Sequence, residues 1–167
     1  MKLQKIDKPT YQARRSRIQW TMVAALFALS LGFAELYRWI FVGGESSLVL
    51  NALGVATGAG IVTFTLFKLR YTEYFHEVNY VWCLKQELNR IYRKSAKLDQ
   101  ALAEGTREAL IIKLFHVEGS RFIYDLDDNT LTMSELVKEL DALRDKAANM
   151  NPPVSVDDYD PSLLVNL

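Results

Sequence analysis

The uncharged positions of the chain are concentrated in two long runs separated by a short polar turn. The first run, residues 18–42, carries two charged side chains in 25 positions, and the second, residues 46–67, carries none. At about 1.5 Å of rise per residue, the first run gives roughly 37 Å of helix, enough for a hydrocarbon core of about 30 Å. The pattern predicts a transmembrane hairpin whose two spans are joined at Gly43-Gly44-Glu45.

The polar part of the chain that follows keeps a helical pattern. Apolar residues recur at spacings of three and four, and from Leu84 onward they form a heptad seam typical of a coiled coil. No Gly or Pro lies in the 44 positions before Gly105, so we expect one long helix that begins in the membrane and ends there. Two further helices are predicted, over 106–127 (broken or unbroken at Gly119) and over 132–148.

The sequence therefore predicts an all-α protein in four parts. Residues 1–17 form a basic cytoplasmic tail, and residues 18–67 form the transmembrane hairpin. Residues 68–150 form a cytoplasmic helical region, in which the long helix packs with the two further helices. Residues 151–167 form an acidic, mobile tail, because two prolines after Asn151 end any helix.

A formal net charge of zero conceals a separation of charge along the chain. Residues 1–17 carry six basic side chains and one acidic one, the turn between the spans carries no Lys or Arg, and Lys68 and Arg70 follow the second span. Because Lys and Arg accumulate on the cytoplasmic side of a membrane, both termini are expected in the cytoplasm. The first run is too long for a cleaved signal peptide and lacks its small-residue site.

Small residues repeat at the helical spacing of four in both spans. They are Ala24, Ala28 and Gly32 in the first span, and Gly54 and Gly58 in the second, where Gly60 repeats the spacing from Ala56. Small side chains let two backbones approach closely in lipid, where no hydrophobic driving force holds helices together. We expect these residues to pack the hairpin, while one of the two stripes is also able to meet a second copy of the chain.

Two charged residues, Glu35 and Arg38, lie within the first span. They are three positions apart on one helix and can therefore pair. Arg38 lies about one turn from the end of the span, so its side chain can extend to the interface. We predict a structural ion pair. The alternative is a small transporter or channel component that uses both residues, since ionisable groups inside a membrane are candidates for function.

A basic stripe occupies the predicted long helix at Arg90, Arg93, Lys94 and Lys97. On a straight helix this stripe lies tens of ångströms from the membrane, several Debye lengths of about 8 Å away, so the positive-inside bias does not explain it. The acidic side chains of the helix over 132–148 are its predicted partner, and a helix that bends back onto the lipid surface is the alternative. Four charges without a wider basic excess do not indicate nucleic-acid binding.

The sequence contains no set of residues typical of a catalytic or metal site. Cys83 is the single cysteine and is expected to be a small core residue. Glu73 and His76 have the spacing of half a di-iron site, but the second half is absent. The segment 125–129 begins like a calcium-binding loop, with Thr130 where that loop requires Gly. We predict no enzyme activity, no metal and no cofactor.

The segment Leu126-Asp127-Asp128-Asn129-Thr130, with the basic tail and the double span, resembles a family of small two-span inner-membrane proteins of gammaproteobacteria catalogued as a domain of unknown function. The resemblance covers nearly the whole chain and implies a bacterial inner membrane, without an activity or site residues. We expect a multi-pass membrane protein whose hairpin anchors a cytoplasmic helical domain for protein–protein interaction or self-assembly. Its expected partners are the lipid bilayer and either a second copy of the chain or another protein.

Overall fold

The computed structural model describes residues 1–166, and over these residues the protein contains six α-helices and no β-strand. The helices are α1 Lys8–Val42, α2 Leu48–Leu69, α3 His76–Tyr92, α4 Ser95–Ala103, α5 Arg107–Leu126 and α6 Met133–Ala148. Short 3-10 helices occupy Glu73–Phe75, Val156–Asp158 and Pro161–Asn166. The predicted all-α class is confirmed. The chain divides into a hairpin unit, Pro9–Asn79, and a helical unit, Met1–Lys8 with Tyr80–Leu167.

The hairpin unit contains the two apolar runs as separate helices. Gly43 and Gly44 have φ angles of 63° and 93°, which favour glycine, and the Gly44 N–H donates to the Arg38 carbonyl at 3.0 Å to close α1. The Ser47 hydroxyl accepts from the Leu50 N–H and begins α2. Both helices are long and apolar enough to cross a membrane, and only 11% of the most apolar window of each is buried.

The single long helix predicted beyond the second span is wrong, because the chain bends twice there. α2 ends at Leu69, whose carbonyl accepts from the Thr72 hydroxyl at 2.7 Å before the first 3-10 helix. α3 ends at Tyr92, and the Lys94 ammonium then donates to the carbonyl of Leu164. The first bend is thus a local side-chain cap, and the second is stabilised by a contact with a residue distant in sequence.

The apolar seam of α3 and α4 is buried inside the helical unit. Leu84, Leu88, Ile91 and Leu98 are each at most 7% exposed. The seam therefore packs within the same chain, and the coiled coil stays a prediction.

At the centre of this unit lies α5, which contacts α4, α6 and the two C-terminal 3-10 helices. Gly119 does not interrupt it, and residues 107–126 form one helix. A Cβ at Gly119 would lie 3.0 Å from Cδ2 of Leu88, so the glycine leaves room for the Leu88 side chain of α3. Of the two alternatives, the structure has the unbroken helix.

Both ends of the chain pack onto the helical unit. Val154, Tyr159 and Leu164 are buried, so the prediction of a mobile tail is corrected for the described part of 151–166. At the other end, the Tyr80 hydroxyl accepts from the Gln4 N–H at 2.8 Å and donates to the Lys2 carbonyl at 3.0 Å. Residues 1–17 are likewise not a simple tail, because α1 already begins at Lys8.

Candidate functional site

Two of the predicted small residues form the closest contact of the hairpin unit. A Cβ added to Gly54 would lie 2.4 Å from the Ala34 backbone nitrogen, and one added to Gly58 would lie 2.8 Å from the Ser30 nitrogen. Real Cβ atoms do not approach other atoms so closely. Gly54, Gly58, Ser30 and Ala34 are all buried, so these glycines set the distance between the two helix backbones.

Polar side chains flank this contact. The Tyr37 hydroxyl lies 3.1 Å from the Thr57 hydroxyl, which itself donates to the Leu53 carbonyl at 2.9 Å. Since the Thr57 proton is used in that bond, Tyr37 donates to Thr57 and joins α1 to α2. A hydrogen bond between helices adds to their association in lipid, where water does not compete for the donors.

The other predicted small residues lie on open surface of the hairpin unit. Ala24 and Ala28 are exposed, and a Cβ at Gly32 or Gly60 would meet nothing within 4 Å. Ala24, Ala28 and Gly32 are spaced by four residues and therefore share one face of α1, which we call the small-residue face. The two stripes thus differ: Gly54 and Gly58 of α2 form the hairpin contact, while Ala24, Ala28 and Gly32 of α1 remain exposed.

Glu35 and Arg38 form an ion pair on α1, as predicted from their spacing. The carboxylate accepts from the Arg38 guanidinium, and the Glu35 side chain remains 69% exposed. Glu35 follows Gly32 by three residues and therefore extends the small-residue face. This face presents an exposed, ion-paired carboxylate beside small side chains.

The predicted basic stripe does not act as one surface. Arg90 pairs with Glu87 at 3.0 Å, and Lys94 bonds to the Leu164 carbonyl. Arg93 and Lys97 are exposed, and the bend between α3 and α4 separates Arg90 from Lys97.

The acidic side chains of α6 are not the partner predicted for that stripe. Glu139 instead pairs with Lys113 of α5 at 3.0 Å. On the same two helices, Arg144 of α6 pairs with Glu118 of α5 at 3.0 Å. The prediction failed because α6 packs against α5, so its charges meet those of α5 first.

A buried polar cluster in the helical unit was not predicted from the sequence. Glu87 is 7% exposed and accepts from the Tyr159 hydroxyl at 2.5 Å, while the Tyr159 ring stacks on Phe115 at 3.9 Å. Burial, followed by the nearby Glu87 carboxylate, raises the pKa of Tyr159 far above its ordinary value. No sequence signal reveals this cluster, because its members are 28 to 72 positions apart. The geometry fits a structural clamp on the C-terminal segment.

No cluster of three or more metal-ligating side chains occurs within the described part of the chain. Cys83 is exposed rather than buried, which corrects the expectation of a core residue. His116 is close enough to the ion pair of Lys113 and Glu139 to sense both charges, and burial, followed by the Lys113 charge, lowers the pKa of His116. The features that stand out among the described residues are exposed helix faces and ion pairs.

Comparison with known proteins gives one family. No curated protein and no solved structure matches the chain. The model of a family described as "Protein of unknown function (DUF3087)" matches residues 1–164, nearly the full length. The predicted resemblance to a domain of unknown function is therefore confirmed, and the chain belongs to the DUF3087 family.

Proposed function

We propose that the protein is a non-catalytic integral membrane protein in which the hairpin unit anchors the helical unit in the cytoplasm. The observation that supports this most is the exposure of α1 and α2, two long apolar helices whose most apolar windows are 11% buried. The core helix of a soluble protein would be mostly buried, whereas these surfaces suit contact with acyl chains.

The charges favour one orientation in a bacterial inner membrane. The five-residue connection at 43–47 contains Glu45 and no basic residue, while the opposite ends of the two helices carry Arg14, Arg17 and Lys68. The positive-inside rule places those ends, and with them both termini, on the cytoplasmic side. Trp39 and Phe41 near the connection are exposed, as expected of an aromatic belt at the outer interface.

The single exposed cysteine tests this orientation. In cells, a membrane-impermeant maleimide should leave Cys83 unlabelled until the membrane is opened. In a Cys83→Ser background, a Ser46→Cys variant in the connection should react at once. Recovery of the chain in the soluble fraction would reject the anchor, and the reverse labelling pattern would reject the orientation.

We further propose that the chain self-assembles through the small-residue face of α1. Glu35 lies about 10 Å from the end of α1 by helical rise, so its exposed carboxylate would meet hydrocarbon in a single copy. A second copy packed on Ala24, Ala28 and Gly32 would cover Glu35 and bring the backbones close enough for dispersion to hold them. This face is free for that role because the hairpin contact uses Gly54 and Gly58 instead.

Two matched glycine substitutions test the assembly face. Gly32→Leu and Gly60→Leu both add a side chain where nothing lies within 4 Å, so neither disturbs the hairpin itself. In lipid nanodiscs or by crosslinking in cells, Gly32→Leu should convert the assembly to single copies, and Gly60→Leu should not. A wild-type chain that is already a single copy, or the reverse result, would contradict the proposal.

The exposed ion pair also gives a second candidate, a small transporter or channel component. An exposed carboxylate at that depth is a candidate for an ion pathway at the interface between copies. Glu35→Gln should then change ion flux in liposomes without changing the assembly. If liposomes that contain the wild-type protein show no ion flux, the transporter or channel candidate is rejected and self-assembly is the role of this face.

A further inference from the structure

The two helices of the hairpin unit separate on the side away from their connection. Near the connection, Gly54 and Gly58 hold α2 against α1, but further along α2 the residues that face the space between the helices are larger, beginning with Ile61 and Val62. A groove of about 270 Å³ opens there between the helices. Mostly apolar side chains of both helices line it, among them Ala25 and Leu29 of α1 and Thr65 and Leu66 of α2, and Arg17 and Tyr74 lie at its end.

The lining of the groove is almost wholly apolar. The Thr65 hydroxyl already donates to the Ile61 carbonyl at 2.8 Å, which leaves it no proton to offer a polar ligand. A flexible hydrocarbon chain can follow an irregular apolar surface of this kind, and the charge at the end of the groove favours a lipid over a helix of a second copy.

The end of the groove is positively charged. Residues 14–17 and 68–77 together carry five basic and two acidic side chains. Of these, Arg14 is bonded to Glu77 and lies 5.4 Å from the centre of the Tyr74 ring. Arg17 lines the groove itself and has no ion-pair partner among residues 1–166. Its guanidinium is therefore available to an anionic group at the mouth.

We propose that this groove binds one acyl chain of an anionic phospholipid, whose headgroup phosphate pairs with Arg17. The proposal rests on the membrane placement given above, which puts this end of the hairpin at the cytoplasmic interface. A guanidinium matches a phosphate with two parallel hydrogen bonds, and basic pockets between transmembrane helices on the cytoplasmic side suit anionic headgroups. The apolar lining contacts the acyl chain of the lipid, and Arg17 gives the preference for an anionic headgroup.

Native mass spectrometry of the full chain, purified in detergent and delipidated, tests the binding. Phosphatidylglycerol and phosphatidylcholine with identical acyl chains are offered in turn. The wild-type chain should retain one phosphatidylglycerol in preference to phosphatidylcholine. Arg17→Gln should reduce that preference about fivefold, because it removes the direct pairing of a basic side chain with the headgroup phosphate. An excess of inorganic phosphate should not displace the lipid, because the acyl chain also contributes.

Matched variants separate the groove from general effects. Lys68→Gln removes a charge from the same end of the hairpin, but Lys68 does not line the groove, so retention should stay near wild type. Ala25→Phe should fill the groove and reduce retention of both lipids, whereas Ala52→Phe adds the same bulk at an exposed position of α2. Circular dichroism should show equal helix content in all four variants.

Several results would overturn the lipid site. They are equal retention of the two lipids by the wild-type chain, equal losses in Arg17→Gln and Lys68→Gln, or full retention by a folded Ala25→Phe. If Ala25→Phe loses helix content, the comparison of lipid retention by Arg17→Gln and Lys68→Gln alone tests the lipid site. Membrane fractionation keeps the two proposals apart, because a membrane-bound chain without lipid preference contradicts only this inference.

Discussion

The hairpin unit and the helical unit are both built from α-helices, but residues of opposite size form their contacts. In the hairpin unit the buried positions of α1 and α2 are mostly small, namely Ser30, Ala34, Gly54 and Gly58, with Tyr11 near the start of α1. In the helical unit most buried positions are large, although Ala109, Gly119 and Ala147 are buried too. The largest fully buried side chains there are those of Val81, Leu84, Ile91, Ile112, Phe115, Val117, Leu126, Leu140 and Leu164.

Contacts between large apolar residues are typical of a core that forms in water, and contacts between small residues are typical of helices in lipid. Water drives large apolar side chains together, at about 25 cal/mol for each Å² that they bury. Acyl chains give no such drive, so helices associate where small residues let their backbones approach. Each expectation below tests whether the two units follow these separate rules.

The largest expected effect is that of Tyr159→Ala in the helical unit. This change removes a buried ring from Phe115 and leaves Glu87 without one of its two partners, so it should cost about 3–5 kcal/mol. Hydrogen exchange of the chain in nanodiscs should accelerate in α5 and remain unchanged in α2. The control is Tyr92→Ala, since Tyr92 is 67% exposed. Faster exchange in both units would mean that they do not behave separately.

The corresponding change in the hairpin unit is Gly54→Ile. Its side chain would overlap the Ala34 backbone, so α1 and α2 must move apart, at a cost of about 1–3 kcal/mol. Unfolding in mixed detergent micelles measures this loss. Gly60→Ile is the matched control and should change stability by less than about 0.5 kcal/mol, because nothing lies near it. Similar losses in both variants would show that glycine content, rather than close contact, determines the effect.

A smaller effect is expected for Tyr159→Phe, which keeps the stacked ring and removes only the hydroxyl. The buried Glu87 carboxylate then keeps Arg90 as its partner and loses the bond of 2.5 Å, so we expect a loss of about 1–2 kcal/mol. Chemical unfolding followed by fluorescence measures it, with Tyr92→Phe as the control. A loss as large as that of Tyr159→Ala would assign the stabilisation to the hydrogen bond instead of the ring.

The smallest expected effect is a pH dependence in the helical unit from His116. Its pKa is lowered on folding, so below the ordinary value of 6.5 the unfolded chain binds a proton more readily than the folded one. Stability should therefore fall as the pH drops from about 6.5 towards the lowered pKa of the folded state. Unfolding measured across this range should lose the slope in His116→Leu and keep it in His76→Gln. An unchanged slope in His116→Leu would assign the effect to other groups.

The elements most determined by local pattern were predicted well. The two apolar runs became α1 and α2, and the pairing of Glu35 with Arg38 followed from their spacing on one helix. Predictions that depended on distant residues failed. The helix beyond α2 bends near Lys94, which bonds to a carbonyl 70 residues away, and the acidic side chains of α6 meet α5 instead of the basic stripe.

The sequence by itself determined that the chain is helical, that two helices are suited to lipid, and where charge accumulates, because these properties depend on composition and periodicity within each segment. Only the tertiary structure decided how the small residues divide. Gly54 and Gly58 pack the hairpin, while Ala24, Ala28 and Gly32 remain open, since both stripes have the same spacing and differ only in what lies opposite them. The tertiary structure also made the acidic C-terminal segment part of a core, because Tyr159 stacks on Phe115 and donates a hydrogen bond to Glu87, which are distant in sequence.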